Sequence, residues 1–172
     1  LKNLNTFLIG SLLLSFGLFS DGFTQITRLD AKVEAIMFGK VFKYVKTIKP
    51  ANVNILVVYD KLGEKPNKII AAFKKEKYQT TSTEKSELKS VISNFNVIYL
   101  VPGVNISDEI ELFKKNKVLV ISGDPGLVSS GTAGIAVASE NKKPVIYLNL
   151  KSLTATGHDV SFELINLSKV YK

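Results

Sequence analysis

Val97-Ile98-Tyr99-Leu100-Val101-Pro102-Gly103, then Ser107-Asp108-Glu109-Ile110, then Val118-Leu119-Val120-Ile121: this stretch decides the fold. An apolar, β-branched run closed by Pro-Gly predicts a strand buried on both faces. Ser107 predicts a helix N-cap, and Asp108 and Glu109 suit the positive end of that helix. Ile110 and Phe113 mark its buried face, and Val118 to Ile121 is the next strand. The same alternation continues outward in both directions. Val53 to Tyr59 predicts an earlier buried strand, followed by a turn at Asp60-Lys61-Leu62-Gly63. A helix follows, with Pro66 in its first turn and Ile69, Ile70 and Phe73 inward. Tyr78 to Thr83 predicts a short strand, and Leu88, Val91 and Ile92 the inward face of another helix.

Upstream, Ile26, Leu29, Val33, Ile36, Met37, Val41, Tyr44 and Val45 recur at spacings of three and four, which predicts one amphipathic helix from Ile26 to Val45. Downstream, Ser122-Gly123-Asp124-Pro125-Gly126 predicts a turn of the Asp-Pro-Gly type. Ile135–Ala138 and Pro144–Leu150 predict an antiparallel hairpin. Leu164, Ile165, Leu167 and Val170 predict a closing helix over Val160–Tyr171. The expectation is a single three-layer α/β domain over residues 23–172, with a mainly parallel sheet and an antiparallel edge hairpin. With 172 residues, 45% of them hydrophobic, the chain is long enough for an ordinary core.

The beginning of the chain reads as an address. Lys2 precedes the apolar run Phe7 to Phe19, which is shorter than the roughly 20 residues a membrane-spanning helix needs. Small residues at the −3 and −1 positions fit a cut after Gly17 (Ser15 and Gly17) or after Gly22 (Ser20 and Gly22). This predicts a signal peptide over residues 1–22 and a periplasmic mature protein that does not span the membrane.

Composition excludes several chemistries. The absence of cysteine and the single histidine exclude disulfide scaffolds, zinc fingers and thiol catalysis. The net charge of +8 comes from lysines, because Arg28 is the only arginine. Arginine is the side chain that reads guanine edges and clamps phosphates, so no nucleic-acid partner is expected. The lysine knots at Lys74, Lys75, Lys77 and at Lys114, Lys115, Lys117 fall at expected helix ends, where cations suit the dipole.

Catalytic, cofactor and metal sites are not expected. His158 and Asp159 are sequence neighbours, which ill suits a triad, and no G-x-S-x-G elbow is present, so His158 reads as a surface-loop residue. Gly126 to Gly131 has the spacing of a phosphate loop, but Thr132 stands where such a loop needs lysine. The loop that leaves the strand ending at Ile121 is nevertheless the best placed to touch a ligand, since it follows the carboxyl end of a sheet strand.

The C-terminal half carries a resemblance. Val118-Leu119-Val120-Ile121-Ser122-Gly123-Asp124-Pro125-Gly126-Leu127, then Gly131, Ile135, Ile146-Tyr147-Leu148-Asn149-Leu150, and finally Leu164 to Val170, resemble the YfiR/HmsC family of exported bacterial proteins. That family shows a strand, a Pro-Gly-Phe turn, a glycine pair, a strand carrying Asn-Leu, and a last helix close to Leu-Leu-x-Leu-Ala-x-Val. Ala31 to Val45 resembles the family's opening helix. The chain departs from the pattern at Leu127, at Thr132 and in lacking tryptophan before Pro50, and it has none of the family's cysteines.

The resemblance implies a non-enzymatic periplasmic regulator that binds and restrains a membrane sensor protein, a diguanylate cyclase, and so acts on cyclic-di-GMP signalling and biofilm formation. Homodimerisation is left open. The expected partner or ligand contacts are Asp124, Pro125, Gly126, Ser129 and Ser130 in the loop, with Phe38 and Phe42 on the first helix. The alternative is a periplasmic protein that binds a small anion in that loop and has no protein partner.

Overall fold

The computed structural model describes residues 25–171; the segment read as a signal peptide lies outside them. The elements are β1 (Ile26–Thr27), α1 (Ala31–Val41), β2 (Asn54–Tyr59), α2 (Asn67–Lys75), β3 (Gln79–Glu84), α3 (Leu88–Val91), β4 (Val97–Leu100), α4 (Ile110–Asn116), β5 (Leu119–Ser122), α5 (Pro125–Ser129), β6 (Ile135–Glu140), β7 (Lys143–Asn149), α6 (Leu150–Ala155), α7 (Phe162–Asn166) and β8 (Ser168–Tyr171).

They form one α/β domain around an eight-stranded sheet of order β3-β2-β4-β5-β6-β7-β8, with β1 paired to β6 off that path. The neighbours from β3 to β6 pair in parallel, and β6 and β7 form an antiparallel hairpin. The strands β4 and β5 are fully buried, as their unbroken apolar runs require. Tyr99 of β4 lies edge-on to Phe38 of α1 and Phe73 of α2, with ring centroids 6.2 and 5.6 Å apart, so α1 and α2 cover that face. Strand alternation turns Ile98 and its register partner Val120 to the opposite face. There Val120 shares a cleft with Ile110 and Phe113 of α4.

Three expectations are corrected. The hairpin is not the edge of the sheet, because β8 pairs in parallel with β7 outside it. Residues 160–171 are not one helix: α7 ends at Asn166, and Ser168 to Tyr171 become strand. The free edge of β7 offers backbone partners that outweigh the helical spacing of Leu164, Leu167 and Val170. The first helix does not begin at Ile26. Asp30 caps it, its Oδ1 accepting from the Lys32 N–H at 3.0 Å, and residues 25–29 run as a separate strap. Within the strap, β1 pairs Ile26 with Glu140 and Thr27 with Ser139, beyond the point where β5 has left β6.

Phe73 is fully buried and touches Phe38, Tyr78 and Tyr99, which ties α2 to both α1 and the sheet. Truncation there leaves a cavity with rigid walls. Phe73→Ala is expected to lower the unfolding free energy by about 3–5 kcal/mol in urea denaturation. A loss below about 1 kcal/mol would show that this face is not packed as described.

The loop after β5 and the cleft beside it as candidate functional site

The strand β5 ends in Ser122, whose hydroxyl donates to the Leu100 carbonyl at 2.8 Å and accepts from the Asp124 N–H at 3.1 Å. This locks the chain as it leaves the sheet. Asp124 then caps α5, its Oδ1 accepting from the Gly126 N–H at 2.8 Å, with Pro125 in the first helical turn. The expected Asp-Pro-Gly turn is therefore the start of a short helix. Pro125 is buried, whereas Gly126, Ser129 and Ser130 are exposed.

After α5 the chain reverses at Gly131, whose φ of +82° lies in the left-handed region that favours glycine. Asn149 at the end of β7 ties this reversal down. Its amide donates to the Val128 carbonyl at 2.9 Å, and its Oδ1 accepts from the Ser152 N–H at 2.9 Å, capping α6. Ser152 donates to the Gly131 carbonyl at 2.8 Å.

Between α4 and these segments lies a cleft of about 290 Å³. Ile110, Phe113 and Val120 give it an apolar side; Ser129, Ser130, Thr132, Ser152 and Thr156 line it with hydroxyls, and Lys114 and Lys151 add cations. The hydroxyls of Ser129, Ser152 and Thr156 donate to backbone carbonyls, and those of Ser130 and Thr132 lie 3.0 Å apart. The arrangement suits a small molecule with an apolar body and polar ends.

Of the expected contact residues, the structure gathers Ser129 and Ser130 at this cleft and gives Asp124 and Pro125 the role of starting α5. Phe38 and Phe42 are corrected: both have no exposed surface, and they pack together with ring centroids 6.2 Å apart inside the aromatic cluster. Phe38 on α1 and Phe42 just past its end lie four apart and are enclosed by Phe73, Tyr78 and Tyr99, so a partner cannot reach them. His158 is also corrected. It is only 7% exposed, its Nδ1 lies 2.7 Å from the Thr47 hydroxyl, and burial holds its pKa below the ordinary value.

A second polar group lies at the carboxyl end of β4 and was not anticipated. Glu34 of α1 is fully buried. The Tyr99 hydroxyl donates to its Oε1 at 2.6 Å, while its Oε2 has no hydrogen-bond partner. Arg28 of the strap places Nε 3.7 Å from that oxygen, donates from Nη2 to the Tyr99 hydroxyl at 3.2 Å, and pairs with Glu64. Burial raises the Glu34 pKa to about 7, against the opposing pull of Tyr99 and Arg28. A signal existed in the sequence, since Glu34 stands four and eight residues before Phe38 and Phe42, on the apolar face of the helix.

No family model matches the sequence, and no curated protein matches it. Among solved structures the fold is similar to the ABC domain in complex with L-Trp from Streptococcus pneumonia, with a TM-score of 0.60 and 11% identity over 83% of this chain and 60% of that one. It is also similar to a conserved domain protein from Vibrio cholerae O1 biovar El Tor, with a TM-score of 0.59 and 12% identity over the same shares. The chain thus spans 60% of the length of each. At these identities the likeness concerns the fold.

Gly123 leaves room for the Glu34 carboxylate. A Cβ there would meet Oε1 at 2.6 Å and Oε2 at 2.9 Å. Gly123→Ala is expected to cost about 1–3 kcal/mol by overpacking. Combined with Glu34→Ala, which removes the clashing group, the two losses should fall short of additivity by about 0.5 kcal/mol or more in denaturant unfolding. Strict additivity would contradict the contact.

Proposed function

We propose that this chain is a non-enzymatic regulator of the YfiR/HmsC kind: an exported protein that binds the extracytoplasmic part of a membrane signalling protein, a diguanylate cyclase, and holds its output down. The observation that carries this reading is spatial. Two residues that carry the sequence resemblance, Gly131 and Asn149, meet in one construction, in which Asn149 ties α5 to α6 across the reversal at Gly131. In this reading the cleft beside it receives a small signal molecule, and occupancy is coupled to partner release.

Because Phe38 and Phe42 are core, the partner contact is assigned elsewhere. Phe162 of α7 is 71% exposed and Leu167 just after it is 67% exposed. Tyr44 lies beside the start of α7, its carbonyl accepting from the Ser161 N–H at 2.9 Å. Large apolar side chains left in water on one short segment are the kind of anchor a protein partner covers. The loop residues Gly126, Ser129 and Ser130 provide a second point of contact.

A second reading is favoured by the cleft itself. A protein that binds a small molecule, as the Streptococcus domain of similar fold does with L-Trp, needs the cleft and no partner. The two readings separate in one experiment: crosslinking of the tagged protein in cells, pull-down from solubilised envelope, and mass spectrometry of what co-elutes. The regulator reading predicts an inner-membrane protein with a cyclase output domain, with recovery falling roughly tenfold or more in Phe162→Ser/Leu167→Ser. Recovery of the protein alone at every crosslinker length would overturn it. Thermal stabilisation by added L-Trp, lost in Ser152→Phe, would then favour the second reading.

A further inference from the structure

The cleft between α4, α5 and α6 carries charge of one sign. Lys114 and Lys151 line it, and among the described residues no carboxylate does. Lys114 is half-buried, and its Nζ lies 2.6 Å from a carboxylate oxygen of Glu111, whose side chain is 83% exposed and does not line the cleft. Lys151 makes no ion pair with any described residue. We infer that the cleft takes a small monocarboxylate with an apolar body and turns away the corresponding amine.

The assignment rests on the reading of this cleft as a small-molecule site and names the class that fits it. Phe113 of α4, Val120 of β5 and Ala155 of α6 offer the ligand an apolar wall. Burial against that wall rewards an apolar body whatever its charge, so the polar end decides which ligand stays. A volume of about 290 Å³ is at the small end for ligand cavities, which limits the body to roughly one ring system.

The hydroxyls of Ser129, Ser152 and Thr156 have given their single hydrogens to backbone carbonyls. A ligand carboxylate therefore finds its charged donors in the two lysine ammoniums. A ligand ammonium finds no opposite charge in the lining and two like charges instead. A zwitterionic amino acid carries both groups, so the lysines attract one end of it and repel the other. For a given ring the order of affinity is acid, then amino acid, then amine. Lys151 is exposed and Lys114 only half-buried, so the discrimination is screened by salt.

The chain contains no tryptophan, so indole emission from a mixture comes from the added probe alone. Indole-3-propionate, L-Trp and tryptamine share one ring and differ in charge. Their affinities for the full chain are measured by fluorescence anisotropy of the probe at low salt. Indole-3-propionate is expected to bind roughly tenfold or more tighter than tryptamine, with L-Trp between them, and the gap should shrink in high salt. Lys151→Glu puts a carboxylate at the cleft and should reverse the order of acid and amine. Should that variant fail to fold, Lys151→Gln takes its place and should narrow the gap. Tryptamine or L-Trp binding as tightly as indole-3-propionate would leave the cleft a ligand site and overturn the assignment of its class. An order left unchanged by the folded Lys151 variant would overturn it too. Failure of all three probes to bind would remove the ligand site itself, and the assignment with it.

Discussion

Two parallel strands, β4 and β5, have to be hidden on both faces, and most of the molecule follows from that. Val97 to Leu100 and Leu119 to Ser122 are buried throughout. Runs of this kind are stable only under helices on either side. Phe38, Phe42 and Phe73 close one face around Tyr99, and Phe113 and Ile110 lie over Val120 on the other. Because parallel strands need crossovers, the loops at their carboxyl ends gather in one place. Glu34 with Tyr99, and Asp124 at the start of α5, stand there on either side of Gly123.

The network around Asn149 and the group around Glu34 differ in physical character. Around Asn149 each polar group is matched: two side-chain bonds and the Ser152 bond to Gly131 fix the reversal between α5 and β6. Such a network holds the reversal in one shape. Around Glu34 one oxygen is left unmatched in the interior. An unpaired buried acceptor is costly, and a protein that carries one holds a group whose charge state changes its local stability.

Much of the fold was legible because buried parallel strands write themselves as continuous apolar runs and their helices as three-and-four spacing. Val53–Tyr59, Val97–Val101 and Val118–Ile121 show the first, and Ile69 with Phe73 the second. The ends of the chain were misread for one shared reason. Ile26 and Leu29 fit the helical spacing of Val33, and Leu164 and Leu167 fit that of Val170, yet both segments lie against open backbone of β6 and β7. Local spacing carries no information about a free sheet edge, and tertiary hydrogen bonds decided. The Pro-Gly signal after a strand located the loop at Asp124, which the structure begins as the short helix α5. Phe38 and Phe42 were misplaced because an apolar helix face looks the same whether it meets a core or a partner. Glu34 was missed because a charged residue on that face reads as an interruption of the stripe rather than as a buried group.

The regulator reading makes the protein a brake on a cyclase in the membrane. The most direct measurement is the cyclic-di-GMP level of the cells that make this protein, with its gene deleted and then restored on a plasmid. The account predicts a rise on deletion, reversal by the wild-type chain, and no reversal by Phe162→Ser/Leu167→Ser exported to the same level. An unchanged level on deletion would contradict it.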